Sequence, residues 1–342
     1  MGCNNGCGFG GGGCLWIILI IILLCCCCGG GSWGGCGCGG CGCNNGCGNS
    51  CCLEGSTIAE RQTGRRAVGC FSPRHVPVYQ TSGKEAEHMQ RRTTALYFSP
   101  TGGTRTYVRA VAAAMPHMGG EVDLTRPEER RKVHMFGADD VVVLGVPVYY
   151  GRVPEVPGLL DGLQGEETPA VLLAVYGNRL IDDALAELSD LCAARGFRPL
   201  AAGAFVAPHT FSAKVAVGRP NAGDLAAAAE LGRRAAEKLS GPWCAPELPG
   251  NRPYRSFQRA PFYPVGDDTC TRCGCCVGAC PVEAIHPAAP RATDGEKCIR
   301  CLACVRACPA GSRRVEGPAF AATAAHLEEA LTKEDKPPEL YL

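Results

Sequence analysis

Residues 93–115 read TTALYFSPTGGTRTYVRAVAAAM. The stretch from Thr93 to Ser99 is apolar enough to predict a short buried strand. The small-residue loop SPTGGT, Ser99 to Thr104, follows at once. After it, Tyr107, Val108, Val111 and Met115 recur at helical spacing. Strand, loop and helix together make an anion cradle, because the free N–H groups at a helix start converge on whatever lies before it. Ser99, Thr101 and Thr104 add hydroxyl donors, and Gly102 and Gly103 let the backbone approach a ligand closely. No lysine follows Gly103, so this is not the loop of a nucleoside triphosphatase. The third glycine of a dinucleotide-binding fingerprint is also missing.

The alternation continues downstream. Val141 to Leu144 is a strand-type run leading into the loop Pro147 to Arg152, with Tyr149 and Tyr150 adjacent. PAVLLAVYGNR, 169–179, predicts a second such strand ending at Tyr176, Gly177 and Asn178. LIDDALAELSDLCAARGF, 180–197, predicts an amphipathic helix with Ile181, Leu185, Leu188 and Cys192 on one face. RPLAAGAFVAP and DLAAAAELGRRAAEKL supply a last strand and a last helix. Alternating strands and helices predict a parallel sheet covered on both faces. Ligands of such sheets sit at the carboxyl ends of the strands. Three marked loops fall there: Ser99–Thr104, Pro147–Arg152 and Val175–Arg179.

The loop also fits S/T-x-T-G-x-T, and on that motif residues 93 to about 241 resemble a flavodoxin-like domain. The resemblance implies FMN as cofactor. Its phosphate would lie on Ser99, Thr101, Gly102, Gly103 and Thr104. Its ring would lie against Tyr149 or Tyr150 and Tyr176, with Pro147, Gly151, Gly177 and Asn178 beside them. His209, after the last strand, reads as an exposed loop residue rather than a base.

A second signal lies near the carboxyl terminus. Cys270, Cys273, Cys276 and Cys280 read C-x2-C-x2-C-x3-C and are followed by Pro281. Cys298, Cys301, Cys304 and Cys308 repeat the spacing and are followed by Pro309. Disulfides do not need two identical four-cysteine sets, and zinc sites pair two C-x2-C knuckles instead. From Val265 to Gly311 the chain resembles bacterial two-cluster ferredoxins. The resemblance implies two [4Fe–4S] clusters with crossed fourth ligands. One would be held by Cys270, Cys273, Cys276 and Cys308, the other by Cys298, Cys301, Cys304 and Cys280. Cys275 is a bystander.

The rest bounds the answer. The chain has 342 residues, a net charge of +1 and 26 cysteines, 14 of them before residue 53. That charge gives no bulk attraction to nucleic acid or acidic lipid. Cluster cysteines imply a reducing, cytoplasmic setting. Residues 1–52 are Gly/Cys-rich low complexity around the apolar run Leu15 to Leu24, too short to span a bilayer. Membrane contact through residues 14–28 is an alternative, not the favoured reading. Residues 53–92 read as a disordered linker. Met89 looks like a start, with Lys84 and Glu85 encodable as a ribosome-binding sequence; Leu53 to His88 would then be intergenic sequence read in frame. Residues 242–264 form a Pro-rich linker whose aromatics predict packing on one or both domains. Residues 312–342 form a helix, expected to cover an edge of the ferredoxin domain, and an acidic, Pro-broken tail.

Thr93 to Leu342 resembles the flavodoxin–ferredoxin fusion family called ferrodoxins. The expected fold class is α/β: a doubly wound flavodoxin-like parallel sheet at 93–241 and a small α+β two-cluster ferredoxin domain at 265–311. The expected function is electron transfer between FMN and two [4Fe–4S] clusters, with redox partner proteins at either end and no nucleic acid. One alternative is a flavin-dependent reductase of a small substrate, with a pocket lined by Tyr150, Arg152, Arg179 or His209. Another is a flavin-free docking module joined to a ferredoxin.

Overall fold

The computed structural model describes residues 91–342 and the pair Val78–Tyr79. The expectations for the Gly/Cys-rich segment, its membrane contact and a start at Met89 lie outside the described residues. No helix among the described residues is long and apolar enough to cross a membrane.

Six strands form the main sheet: β1 (Arg92–Tyr97), β2 (Met118–Asp123), β3 (Asp140–Pro147), β4 (Thr168–Tyr176), β5 (Phe197–Val206) and β6 (Glu339–Tyr341). Their order is β6-β5-β4-β3-β1-β2. The first five are parallel. Their order, 2-1-3-4-5, is that of the flavodoxin-like doubly wound fold. Strand periodicity explains the two cores. Leu96, Val142, Leu144, Leu172 and Ala174 face one side, where Leu185, Leu188 and Cys192 of α2 (Ala184–Ala193) cover them. Ala95, Tyr97, Val143, Val171 and Leu173 face the other, under α1 (Gly103–Ala113) and α3 (Ala222–Lys238). All nine residues of β4 are buried, so the central strand is a continuous apolar run, as burial on both faces requires.

Two close approaches fix the layers. A Cβ on Gly145 in β3 would lie 2.3 Å from Val108 Cγ2, so α1 rests directly on the strand behind the Ser99–Thr104 loop. Tyr107, also on α1, donates its hydroxyl proton to the Val206 carbonyl at the end of β5 at 2.5 Å. That bond ties the helix start to the ligand edge of the sheet.

The carboxyl terminus differs from the expectation. The tail supplies β6, which pairs antiparallel with β5, Leu340 opposite Gly203. The preceding helix α4 (Pro318–Leu331) packs over the ligand edge of the main sheet, where Glu328 accepts from Ser212 and pairs with Lys214. Within the stretch read as a linker, Val78–Tyr79 pairs antiparallel with Trp243–Cys244. The Pro-rich linker is strapped to the α/β domain. Asp183 accepts from the N–H groups of Asn251 and Arg255, and Asp190 pairs with Arg252.

The cysteine-rich module is small. Val265–Gly266 pairs antiparallel with Arg313–Arg314, and two one-turn helices, Cys275–Gly278 and Ala303–Arg306, follow the cysteine loops. The repeat in sequence is a repeat in backbone. Arg272, Gly274 and Glu283 have positive φ, and so do Arg300, Leu302 and Gly311, at the same offsets from Cys270 and Cys298.

Candidate functional site

A cleft opens at the carboxyl ends of the parallel strands. Thr101, Gly103 and Thr104 line it from the first loop. Pro147, Tyr149, Tyr150 and Gly151 line it from the second, and Tyr176 and Gly177 from the third. The structure thus gathers nine of the sequence-marked residues at one site. Ser99, Gly102 and Asn178 stand behind it. The Ser99 hydroxyl accepts from the Arg105 N–H at 3.0 Å, and Gly102 takes the left-handed conformation, φ +89°, that starts α1. Apart from that Ser99 contact, no side chain caps the start of α1, which suits an anion there. The Asn178 amide is fully engaged elsewhere. It donates to the Leu331 and Glu334 carbonyls at 3.0 and 2.7 Å and accepts from the Lys336 N–H at 3.2 Å. It clamps the carboxyl-terminal segment and does not face the cleft.

The second loop is a tight hairpin. Tyr149 and Arg152 exchange both backbone hydrogen bonds, and the intervening Tyr150 and Gly151 have φ of +55° and +82°, a type I′ turn. The turn directs the aromatics apart. Tyr150 accepts from the Ala260 N–H at 3.2 Å and meets Phe257 edge to face, so it is bound to the linker. Tyr149 lies beside the second cysteine run; burial raises its hydroxyl well above the usual range, and Cys301 adds to the effect. Tyr176 is only 4% exposed, and burial plus the carboxylate of Glu339 on β6 push its hydroxyl to about 12. The tail has covered it.

The roof was not legible. Thr323 and Leu327 of α4 line the cleft opposite the loops. Phe211, Phe262 and Phe320 pack edge to face, with ring centres 5.2 to 6.2 Å apart. They join the loop after β5, the linker and α4. Arg152, expected at the pocket, instead pairs with Glu187 at 2.7 Å and lies over the Tyr254 ring.

His209 corrects the sequence reading. It lines the cleft and packs on Gly177, where a Cβ would come within 2.4 Å of its Cδ2. Its Nδ1 accepts from the Phe211 N–H at 3.1 Å, so the neutral ring carries its proton on Nε2. Burial first, and then Arg179, lower its pKa from 6.5 to about 4. A depressed histidine gains its proton later in the folded chain than in the unfolded one. Stability is therefore full above about pH 6.5 and falls as the pH drops toward about 4. His209→Gln should flatten this part of the acid limb, by up to about 3 kcal/mol. Urea unfolding at pH 7 and pH 4.5 measures it; equal acid sensitivity in both proteins would remove His209 as the source.

The cysteines sort into two sets across the repeats. Cys270, Cys273 and Cys276 line one cavity together with Cys308, the last cysteine of the other run. Cys280 is the electrostatic neighbour of Cys298, Cys301 and Cys304. In the first set, four thiols line one cavity at the spacing of a cubane's donors, so these residues fit the group; the second set repeats that spacing. The environments differ. Cys273 is exposed, whereas Cys298, Cys301 and Cys304 are buried, and burial raises their thiol pKa values. Ile299, Cys301 and Ala303 belong to the core of the α/β domain, and Ile299 and Arg300 line the cleft. Cys275 is exposed, outside both sets, and hydrogen-bonds Cys273.

Residues 264–309 match the family model described as a 4Fe-4S dicluster domain. No curated protein sequence matches the chain. Among solved structures, an archaeal flavodoxin is similar over 44% of this chain and 99% of its own, with 14% identity and a TM-score of 0.31. The flavodiiron core of a Synechocystis sp. protein is similar over 44% of this chain and 36% of its own, with 15% identity and a TM-score of 0.32. The strand order described above and the family-model match over residues 264–309 together give a flavodoxin-like fold followed by an iron–sulfur ferredoxin domain.

Proposed function

We propose that this flavodoxin–ferredoxin chain moves electrons between FMN held in the cleft and two [4Fe–4S] clusters held by the crossed cysteine sets. When bound, the flavin exchanges one or two electrons and each cluster one, so the fusion couples two-electron and one-electron chemistry. One observation carries the reading: the second cysteine loop is a wall of the cleft, with Ile299 and Arg300 lining it and Tyr149 beside Cys301. The chain's part is positional. The threonines and glycines of the first loop address a phosphate, the I′ hairpin holds Tyr149 at the boundary, and the linker and aromatic triad keep the two modules locked. Exposure sets an order. The set that includes the exposed Cys273 suits exchange with a partner redox protein, and the set with Cys298, Cys301 and Cys304 buried suits relay to the cleft.

A second reading has its own observation. Helix α4 and Phe211 roof the cleft and favour a flavin-dependent reductase of a small substrate over a flavin edge open to proteins. Anaerobically purified full-length protein tests the common core of both. We expect about eight iron atoms per chain, one FMN, and a visible spectrum with both cluster and flavin bands. Cluster absorption alone, unaltered by added FMN, would overturn the flavin assignment in favour of a docking module.

A further inference from the structure

Arg313 lies in the short strand that closes the cysteine-rich module, opposite Gly266. It is 1% exposed and the largest of the fully buried side chains. Its guanidinium donates to the Pro290 and Pro264 carbonyls and the Thr293 hydroxyl, none of which carries a full charge. Its Nε is buried without a hydrogen-bond partner. Among the described residues no carboxylate pairs with it. A cation buried in this way is strongly disfavoured unless an anion compensates it.

The groups around it that can become anionic are cysteines of both sets. Arg313 lines the cavity of Cys270, Cys273, Cys276 and Cys308. Cys304 of the other set packs with Cys276 in the module's small core, and the Arg313 charge acts on the Cys304 and Cys298 thiols as well. A cubane carrying four thiolates is a net anion, and net charge and hydrogen bonds to sulfur set its potential. Arginine suits the place: its planar fork reaches several oxygens at once and its charge is permanent.

We infer that Arg313 is the shared buried counter-cation of the two clusters and holds both reduction potentials up. The inference rests on the two-cluster reading. Each cluster takes one electron and no proton from an external one-electron reductant. Reduction thus adds one negative charge beside a fixed positive one, and removing the cation makes both clusters harder to reduce.

The test uses the full chain, purified anaerobically, as wild type, Arg313→Lys and Arg313→Met. Iron and sulfide are quantified, and both clusters are titrated with dithionite while the reduced signals are followed by electron paramagnetic resonance. Wild-type protein with about four iron atoms rather than about eight would overturn the two-cluster reading and the shared role with it. With eight present, Arg313→Met is expected to lower both potentials while Arg313→Lys stays near wild type. Loss of iron in Arg313→Met alone, with both clusters retained in Arg313→Lys, also supports the charge. Wild-type potentials in a fully loaded Arg313→Met would sink the proposal. So would equal loss of iron in both variants, or a lysine variant whose potentials fall as far as the methionine's.

Discussion

Cys301→Ala is expected to leave the chain with about half of its iron and to disconnect the cleft from external one-electron reductants. Cys301 is 7% exposed and packs in the core of the α/β domain beside Tyr149. Burial raises its thiol pKa, so only a strong ligand bond would hold it as thiolate. Without that bond the buried set, Cys298, Cys304 and Cys280, lacks its fourth donor. A module this small, whose own core cluster is Cys276, Ile285 and Cys304, depends on cluster bonds to stay folded. The set of Cys270, Cys273, Cys276 and Cys308 should survive, because none of its four cysteines is touched. Stopped-flow reduction by a reduced one-electron carrier should then bleach cluster absorption while flavin absorption persists. Cys275→Ser is the matched control and should keep all iron, since its thiol lies outside both sets. Loss of a cluster in that control would show the ligand assignment to be wrong. Wild-type flavin reduction in Cys301→Ala would show that electrons reach the cleft by another route.

The parts legible in the sequence share one property: their signal is local. The cysteine runs could be read because each places three cysteines within seven residues and the spacing repeats; the fourth member of each set is implied by the ferredoxin resemblance. Strands β1, β3, β4 and β5 could be read because burial on both faces leaves mostly apolar runs. Strand β2, MGGEVD, could not. It is an edge strand with Met118 47% exposed, and pairing with β1 is what makes it a strand. Strand β6 was missed for the same reason. Asn178 sits where a cofactor residue would, but its partners lie more than 150 residues downstream, and no local pattern announces them. The aromatic roof is built of single phenylalanines from three separate segments. Arg313 and Arg314 are indistinguishable as letters; strand alternation buries one at 1% and leaves the other's side chain half exposed.

Thr101→Ala combined with Thr104→Val should weaken FMN binding by about 3–6 kcal/mol and leave riboflavin binding nearly unchanged. Each lost hydrogen bond to a charged group is worth roughly 1.5–3 kcal/mol, and together they amount to about 10² to 10⁴ in Kd. The choice of substitutions follows from the packing. Thr101 stands partly open at the cleft, so alanine removes little besides its hydroxyl. Thr104 is 3% exposed, and its methyl reaches toward Gly145, where a Cβ would meet it at 3.0 Å. Alanine there would also leave a small void under α1; valine keeps the volume and deletes only the hydroxyl. The comparison of two ligands separates the causes. A collapsed loop would weaken FMN and riboflavin alike, because both carry the same ring. A lost phosphate contact weakens FMN alone. Fluorescence titration of both ligands into the variant measures the difference directly. Equal losses would move the phosphate away from α1, whereas a selective loss of FMN would fix the orientation of the flavin: phosphate on the first loop, ring toward Tyr149 and the buried cysteine set.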